Sequence, residues 1–374
     1  MQRKKVLFII PHMTCGGAER VLSTILKFLD RSRFKPVLVV YGSRFIYDIP
    51  ADVRVIDLRM DGSDAGVPRR LLYFFGRTFK IRAIMEEEKP DIVFSMLTGP
   101  TPMISRMMSR HRPRIVVRET TYVSLGLYGL NGMAHKLFVR AFYPKADLII
   151  TATEDARRDL IGNFGVPPDK IRIVHNPIDL EYVRKSSREA VHDRLFASGV
   201  PVIATVGRLS YLKGYDYLLK AFSLLREDRE ARLVFLGEGA DREDLERLSC
   251  QLGVGDDVFF HGFDRNPFRY VRRAHIFVLP SLFEGFPNAL IEAMACGTAV
   301  ISTDCHSGPR EIIDNGKTGI LVPLRDVHSL CRAMKMLIDD AGLRRRLSGA
   351  GKKRAVEFDV HRIMEEYGKL LGGL

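Results

Sequence analysis

Glu284 and Glu292 stand eight positions apart in SLFEGFPNALIEAMACGTAV, residues 281–300, a stretch that is otherwise almost wholly apolar. A carboxylate withdrawn from water protonates, finds partners or meets a ligand. HIFVLPS before the pair reads as a strand and LFEG as a loop. Pro287 suits a first helical position, and Gly297 suits a helix end. Glu284 then belongs at the carboxyl edge of a sheet. Glu292 belongs more than a turn inside a helix, on the face it shares with Asn288. Carboxylates accept hydrogen bonds in pairs, and vicinal hydroxyls of a sugar or ribose donate them in pairs. Free N–H groups near Asn288 and Ala289 suit phosphate oxygens between two such clamps. A loop charge and a structural ion pair would satisfy the same pattern.

Two further stretches offer anion chemistry. In TVGRLSYLKGYDYLL, residues 205–219, a strand ends at Gly207 and a loop carries Arg208 and Lys213 into a helix. A guanidinium fork and an ammonium point charge suit a diphosphate, although two solvated loop cations read the same way. In PHMTCGGAERVL, residues 11–22, Gly16 and Gly17 lie between a strand and a helix. Backbone N–H groups there could meet an anion; a tight turn explains them equally. The loop is neither G-x-G-x-x-G nor a P-loop, so the dinucleotide and Walker signatures are absent.

The elements that must position these residues alternate in type. Strand candidates are KVLFII, FKPVLVVY, VRVIDL, DIVFSM, RIVVR, DLIITAT and KIRIVHN, then PVIATVG, ARLVFLG, DVFFHG, HIFVLPS and TAVISTD, with amphipathic helical stretches between them. That alternation builds βαβ units and parallel sheets. A chain of 374 residues exceeds one ordinary core, so two doubly wound α/β domains are expected. They are divided by a polar linker at residues 176–199. Ligands bind beyond the carboxyl ends of such strands, which predicts a cleft between facing domains.

Composition narrows the partners. Net charge is +13, which fits nucleic acid, an anionic membrane surface or phosphorylated ligands. No nucleic-acid motif occurs, and aromatics do not interleave with cations as single-strand binders require, so nucleic acid is not expected. The five cysteines form no C-x-x-C and no zinc spacing, which fits a reducing compartment and no metal site. MQRKKVLFIIPH starts like a signal peptide, but its apolar run stops at Pro11. No window reaches the ~20 apolar residues of a spanning helix.

EGFPNALIEAMACG resembles the E-x7-E signature of family 4 retaining glycosyltransferases, which have the GT-B fold. VGRLSYLKGYDYLL, LVFLGEG, HGF at 261–263, NGKTGILVP at 315–323 and GGAER at 16–20 follow that family's order and spacing over nearly the whole chain. The resemblance implies an acceptor-binding domain at 1–180 and a nucleotide-sugar domain at 181–357. It also implies a final helix, 358–374, that crosses back to the first domain. It implies that Glu292 holds ribose hydroxyls, that Glu284 holds the transferred sugar, and that Arg208 and Lys213 grip the diphosphate without a metal. Gly16 and Gly17 would meet phosphate or acceptor, and Gly262 and Phe263 would border the base. Gly285, Phe286, Pro287, Asn288, Ala289 and Leu290 would complete the donor site. Many members place a His, or a His-Asp pair, after a central strand of the first domain. Here RIVVRETTY puts Arg118 and Glu119 there, which become catalytic candidates and resemble a subgroup acting on lipid-linked or polysaccharide acceptors. N-acetylhexosamine donors, notably UDP-GalNAc, are frequent in that subgroup. Without a carboxylate nucleophile, front-face attack through an oxocarbenium-like state is expected. A nucleotide-sugar epimerase of the same architecture is the rival reading; it needs an acid and a base at the sugar, for which His12, His261 and His306 are available.

The first half carries three basic amphipathic stretches. RRLLYFFGRTFKIR at 69–82 mixes Leu71, Leu72, Phe74, Phe75 and Phe79 with Arg69, Arg70, Arg77, Lys80 and Arg82. ISRMMSRHRPR at 104–114 sets Met107 and Met108 among arginines, and VSLGLYGLNGMAHKLFVRAFYPK at 123–145 has no acid. Such stretches dock on anionic lipid or receive a lipid diphosphate; core helices with solvated basic faces are the alternative. A lipid-linked glycan acceptor and a peripheral site on the cytoplasmic face of the plasma membrane follow as expectations.

Overall fold

A computed structural model describes residues 3–14, 16–42, 45–60, 67–126, 129–191, 194–196 and 199–374. Cys15 and the side chains of Arg69, Arg70 and Leu71 lie outside the described set. The chain divides into two units, Met1–Pro177 with Val360–Leu374, and Ile178–Asp359.

The first unit holds seven parallel strands: β1 (Lys4–Ile10), β2 (Phe34–Val40), β3 (Arg54–Asp57), β4 (Ile92–Met96), β5 (Arg114–Glu119), β6 (Leu148–Thr151) and β7 (Ile171–Ile173). Their order is β3-β2-β1-β4-β5-β6-β7. All seven were legible as β-branched runs. Along β1, Val6, Phe8 and Ile10 join one apolar cluster and Leu7 and Ile9 another, so the sheet is covered on both faces. The last helix, Val360–Gly372, closes one face with Val360, Ile363, Met364, Tyr367 and Leu371. This 3.6-residue spacing returns the helix to the first sheet. Each large apolar side chain so buried contributes about 1.5–3 kcal/mol. Lys4 Nζ donates to the Gly372 carbonyl at 2.7 Å, pinning that helix's end.

The second unit holds β8 (Val202–Val206), β9 (Arg232–Leu236), β10 (Val258–Gly262), β11 (Ile276–Leu279), β12 (Ala299–Thr303) and β13 (Ile320–Val322), ordered β10-β9-β8-β11-β12-β13. Five of these six were expected. β13, three residues long beside the NGKTG turn, was not expected.

The expected linker is no separate segment. Asp179 caps the Leu180–Ser186 helix by accepting from Tyr182 N at 2.9 Å, and Leu180 and Val183 are buried. Asn266 Nδ2 donates to the Ser186 carbonyl at 2.9 Å, which makes this helix part of the second unit. The boundary therefore falls after Pro177 rather than 180, and the return after Asp359 rather than 357. Ile178 N donates to the Phe358 carbonyl at 3.0 Å, so the entering and leaving chains of the second unit are hydrogen-bonded to each other.

Candidate functional site

Strand order locates a crevice in each unit. In the second unit the chain winds one way from β8 and the other way from β11, so their carboxyl ends form the switch point where doubly wound sheets bind ligands. The loop after β8 carries Arg208 and Lys213, and the loop after β11 carries Glu284. The structure brings two of these together: Lys213 Nζ lies 2.6 Å from Glu284 Oε1. Leu282 N donates to the Leu212 carbonyl at 2.8 Å, joining the two loops through backbone. Gly214, at φ 63°, makes this possible, because a Cβ there would sit 2.3 Å from the Pro280 carbonyl oxygen. On the other side, a Cβ on Gly237 would sit 2.0 Å from the Gly207 carbonyl oxygen, so the β8 and β9 loops also touch through glycine.

Glu284 is 8% exposed. Its Oε1 takes both Lys213 and the hydroxyl of Ser281, the latter at 2.6 Å. Ser281 is itself held by Thr303, whose Oγ1 donates to the Ser281 carbonyl at 2.5 Å. Sequence reasoning missed Ser281 and Thr303; the one available signal was a hydroxyl three residues before the acid, inside an apolar run. Oε1 is thus committed to the protein.

The helix Asn288–Cys296 starts after Pro287 and ends at Gly297, whose φ is 81°. Glu292 is buried on that helix, and Asn288 and Ala289 open it half-buried. Leu290 and Phe286 face the interior. The loop after β12 braces the turn before it: Ser307 Oγ donates to the Gly285 carbonyl at 3.0 Å. Arg208 projects as an exposed side chain at the start of its loop. Gly262, at φ 89°, sits where β10 bulges against β9, and Phe263 next to it is exposed as a flat apolar surface. Burial first, then the nearby Glu284 carboxylate, push the Cys305 thiol up to about 12. Cys305 is therefore a packing residue of the site, not a nucleophile.

In the first unit the expected pair behaves differently. Arg118 is 1% exposed. It donates to Tyr367 Oη on the returning helix, to Asn176 Oδ1 at 2.6 Å and to the Val174 carbonyl at 3.3 Å. The guanidinium is a structural cation inside the unit. Glu119 Oε1 accepts from Thr120 N, Thr121 N and Thr121 Oγ1 at 2.9, 3.0 and 2.8 Å. Its Oε2 accepts from Tyr143 Oη at 2.7 Å. That carboxylate organises the loop after β5 and has both oxygens occupied. Local sequence cannot reveal this, because Tyr367 and Tyr143 lie far along the chain.

Gly16 precedes the Gly17–Phe28 helix, but Glu19 folds back over it: a Cβ on Gly16 would lie 2.0 Å from Glu19 Oε2. A carboxylate therefore already stands at the helix end where phosphate or acceptor is expected. Gly17 is open: beyond its chain neighbours and its own helix backbone, no described atom lies within 4 Å of the place a Cβ would take.

The basic amphipathic stretches share a surface. Phe74 on the Val67–Glu88 helix stacks on Phe138 of the Gly129–Phe142 helix at 6.4 Å. Ser105 Oγ, on the Thr101–Met108 helix, donates to the Thr78 carbonyl at 2.9 Å. Leu72, Phe75 and Phe79 are exposed at i, i+3, i+7, with Met107, Met108, Met133, Leu137 and Phe138; Leu72 and Leu137 reach 68% and 65%. Several expected cations point elsewhere. Arg77 donates to the Met60 carbonyl at 2.6 Å and lies over Tyr41, Lys80 donates to the Leu58 carbonyl at 2.8 Å, and Arg106 pairs with Asp147. Among the described side chains the apolar residues of the surface are exposed, whereas Arg77 and Arg106 are held within the unit.

Two parallel doubly wound units, the second with a cation–carboxylate pair at its switch point, define the GT-B class of sugar-transferring enzymes. Comparison with known proteins agrees. Residues 15–182 match the Glycosyltransferase Family 4 model and residues 187–354 match Glycosyl transferases group 1. The chain is 31% identical over 377 residues to the N-acetylgalactosamine-N,N'-diacetylbacillosaminyl-diphospho-undecaprenol 4-alpha-N-acetylgalactosaminyltransferase of Campylobacter jejuni, covering 99% of this chain and all of that one. It is 25% identical over 371 residues, 98% of each chain, to the same organism's GalNAc-alpha-(1->4)-GalNAc-alpha-(1->3)-diNAcBac-PP-undecaprenol alpha-1,4-N-acetyl-D-galactosaminyltransferase. The crystal structure of HepE from Anabaena with UDP and glucose superposes with a TM-score of 0.82 at 18% identity, covering both chains fully. This chain belongs to glycosyltransferase family 4 and is a glycosyltransferase.

Proposed function

We propose that this enzyme transfers an N-acetylhexosamine, GalNAc foremost, from a UDP-sugar to a lipid-linked glycan at the cytoplasmic membrane face, with retention of configuration and without a metal. The observation that carries the reading is the Lys213–Glu284 pair, held between two loops at the switch point. Glu284 Oε2 would accept from the transferred sugar. Glu292, with Asn288 and Ala289 between, would accept from the ribose, and Phe263 would border the base. Lys213 and Arg208 would meet negative charge developing on the leaving diphosphate, the place where preorganised cations contribute most to rate. Glu284 is a poor nucleophile, because Oε1 already accepts two strong hydrogen bonds. That supports front-face attack, in which the leaving diphosphate takes the acceptor's proton. The GalNAc and diphospho-undecaprenol of the two Campylobacter relatives support the donor and acceptor class.

A panel of nucleotide sugars tests this, scored for hydrolysis and transfer in excess chelator. UDP-GalNAc or UDP-GlcNAc should turn over with chelator present; strict dependence on added Mn²⁺ or Mg²⁺ would overturn the metal-independent part.

Among the described residues no helix is long and apolar enough to cross a membrane. The Leu72–Phe75–Phe79 face and its neighbours support peripheral docking instead. Because Arg77 and Arg106 are half-buried and bonded within the unit, apolar insertion should carry more of the binding than charge. Flotation with phosphatidylglycerol-containing vesicles should persist at roughly 0.5 M salt, where the Debye length falls to about 4 Å. Complete release at that salt would return the weight to electrostatics.

A further inference from the structure

The first unit has its own switch point, between β1 and β4, and one residue there is unusual. Leu97 directly follows β4 at φ 56° and is 49% exposed. The other non-glycine residues with positive φ among those described are Arg59, Lys89, Ser307 and Arg325, all polar. A bulky apolar residue is the poorest choice for the left-handed region, where glycine is unstrained and Asn or Asp nearly so. The same loop uses the unstrained solution as well, for Gly99, two residues on, takes φ 60°.

Leu97 gains little by packing, yet its surroundings fix it. Ser95, Met96, Thr98 and Thr101 around it are buried. The Ser95 and Thr98 hydroxyls are hydrogen-bonded to each other across the turn, and Ser105 Oγ donates to the Thr101 carbonyl at 2.8 Å just beyond. The register pairs Ile9 with Ser95 and Met96 with Arg118. Leu97 therefore leaves the sheet between the loop of Gly16 and Gly17 and the loop organised by Glu119. A strained conformation held by buried hydroxyls, presenting an apolar side chain at a ligand-binding edge, is the pattern of stored functional strain.

We infer that Leu97 is the apolar platform of the acceptor subsite, packing against the C–H face or acetamido methyl of the acceptor's terminal sugar. The inference rests on the transferase reading above. It names which sugar of that reaction the residue serves: the acceptor, not the donor.

The test uses the full-length enzyme, UDP-GalNAc, and two acceptor probes: a decyl-diphosphate-linked N-acetylhexosamine and the water-soluble methyl glycoside of the same sugar. Leu97→Gly should leave Tm at or above wild type, because it relieves the φ penalty. Acceptor-independent donor hydrolysis should stay within about twofold, while KM for both acceptors rises about tenfold, as expected for a lost apolar contact. Leu97→Met should recover most of the affinity. An unchanged acceptor KM, or a fall in donor hydrolysis parallel to transfer, overturns the assignment. A KM effect confined to the decyl probe also overturns it, because the contact would then be to the lipid chain. A wild-type enzyme that neither hydrolyses nor transfers from any UDP-sugar would instead sink the UDP-sugar reading, and the Leu97 assignment with it.

Discussion

Lys213→Ala should lower kcat by about 10²–10³-fold and weaken UDP-sugar binding about tenfold. The ammonium does two things at once. It neutralises a carboxylate that is nearly buried, and in the proposed reaction it would meet the charge gathering on the departing diphosphate. Removing it leaves the Glu284 carboxylate with the Ser281 hydroxyl alone of the two groups that Oε1 accepts from, so it must draw in water or a proton, and the sugar clamp loses its set position. Glu284→Gln separates these effects. It keeps the side-chain shape and leaves Lys213 free for phosphate, so UDP affinity should stay within about threefold while kcat for the sugar nucleotide falls about 10²-fold. Ser281→Ala releases Oε1 without touching charge. It should cost about tenfold in kcat and nothing in affinity for UDP, which lacks the sugar. Calorimetric titration with UDP and with UDP-GalNAc, beside steady-state kinetics, reads all three. Turnover of Lys213→Ala within threefold of wild type would remove the pair from the mechanism.

The readable and unreadable parts of this site divide by sequence separation. Twelve of the thirteen strands announced themselves, the central ones because parallel strands covered on both faces must be continuous apolar runs. The loops carrying Arg208, Lys213 and Glu284 followed, since each comes directly after a strand that could be seen. That Lys213 and Glu284 touch is a contact over 71 residues, and no local pattern contains it. Arg118 shows the same limit from the other side. It sits at the end of a central strand, where a catalytic group is expected, and only a partner 249 residues away reveals that its side chain turns inward. Leu97 was invisible for a different reason: its type is ordinary, and only its backbone conformation and exposure are not.

The buried guanidinium of Arg118 leads to the second large effect. Its hydrogen-bond partners are neutral, namely Tyr367, Asn176 and the Val174 carbonyl, and burial holds its pKa below the usual guanidinium range. Burial likewise pushes the Tyr367 phenol up to about 12, with Arg118 pulling the other way, so the hydroxyl stays protonated and accepts. Tyr367→Phe should then destabilise the first unit by about 2–3 kcal/mol, because a buried cation loses an acceptor that no water replaces. Arg118→Met fills much of the same volume without the charge and should cost about 2–4 kcal/mol, mostly from the Val174 carbonyl and Tyr367 hydroxyl that lose the guanidinium. The two changes should not add. Once the cation is gone the phenol has nothing to serve, so the double variant should be more stable than the sum of the singles predicts, by about 1–2 kcal/mol. Urea unfolding, with amide protection followed in β5 and β7, measures this cycle. Simple additivity would mean that Arg118 and Tyr367 stabilise the unit independently. A coupled result would mean that one buried cation fastens two passages of chain to the central sheet: the Val174–Asn176 segment just before the first unit ends at Pro177, and the helix that resumes it at Val360.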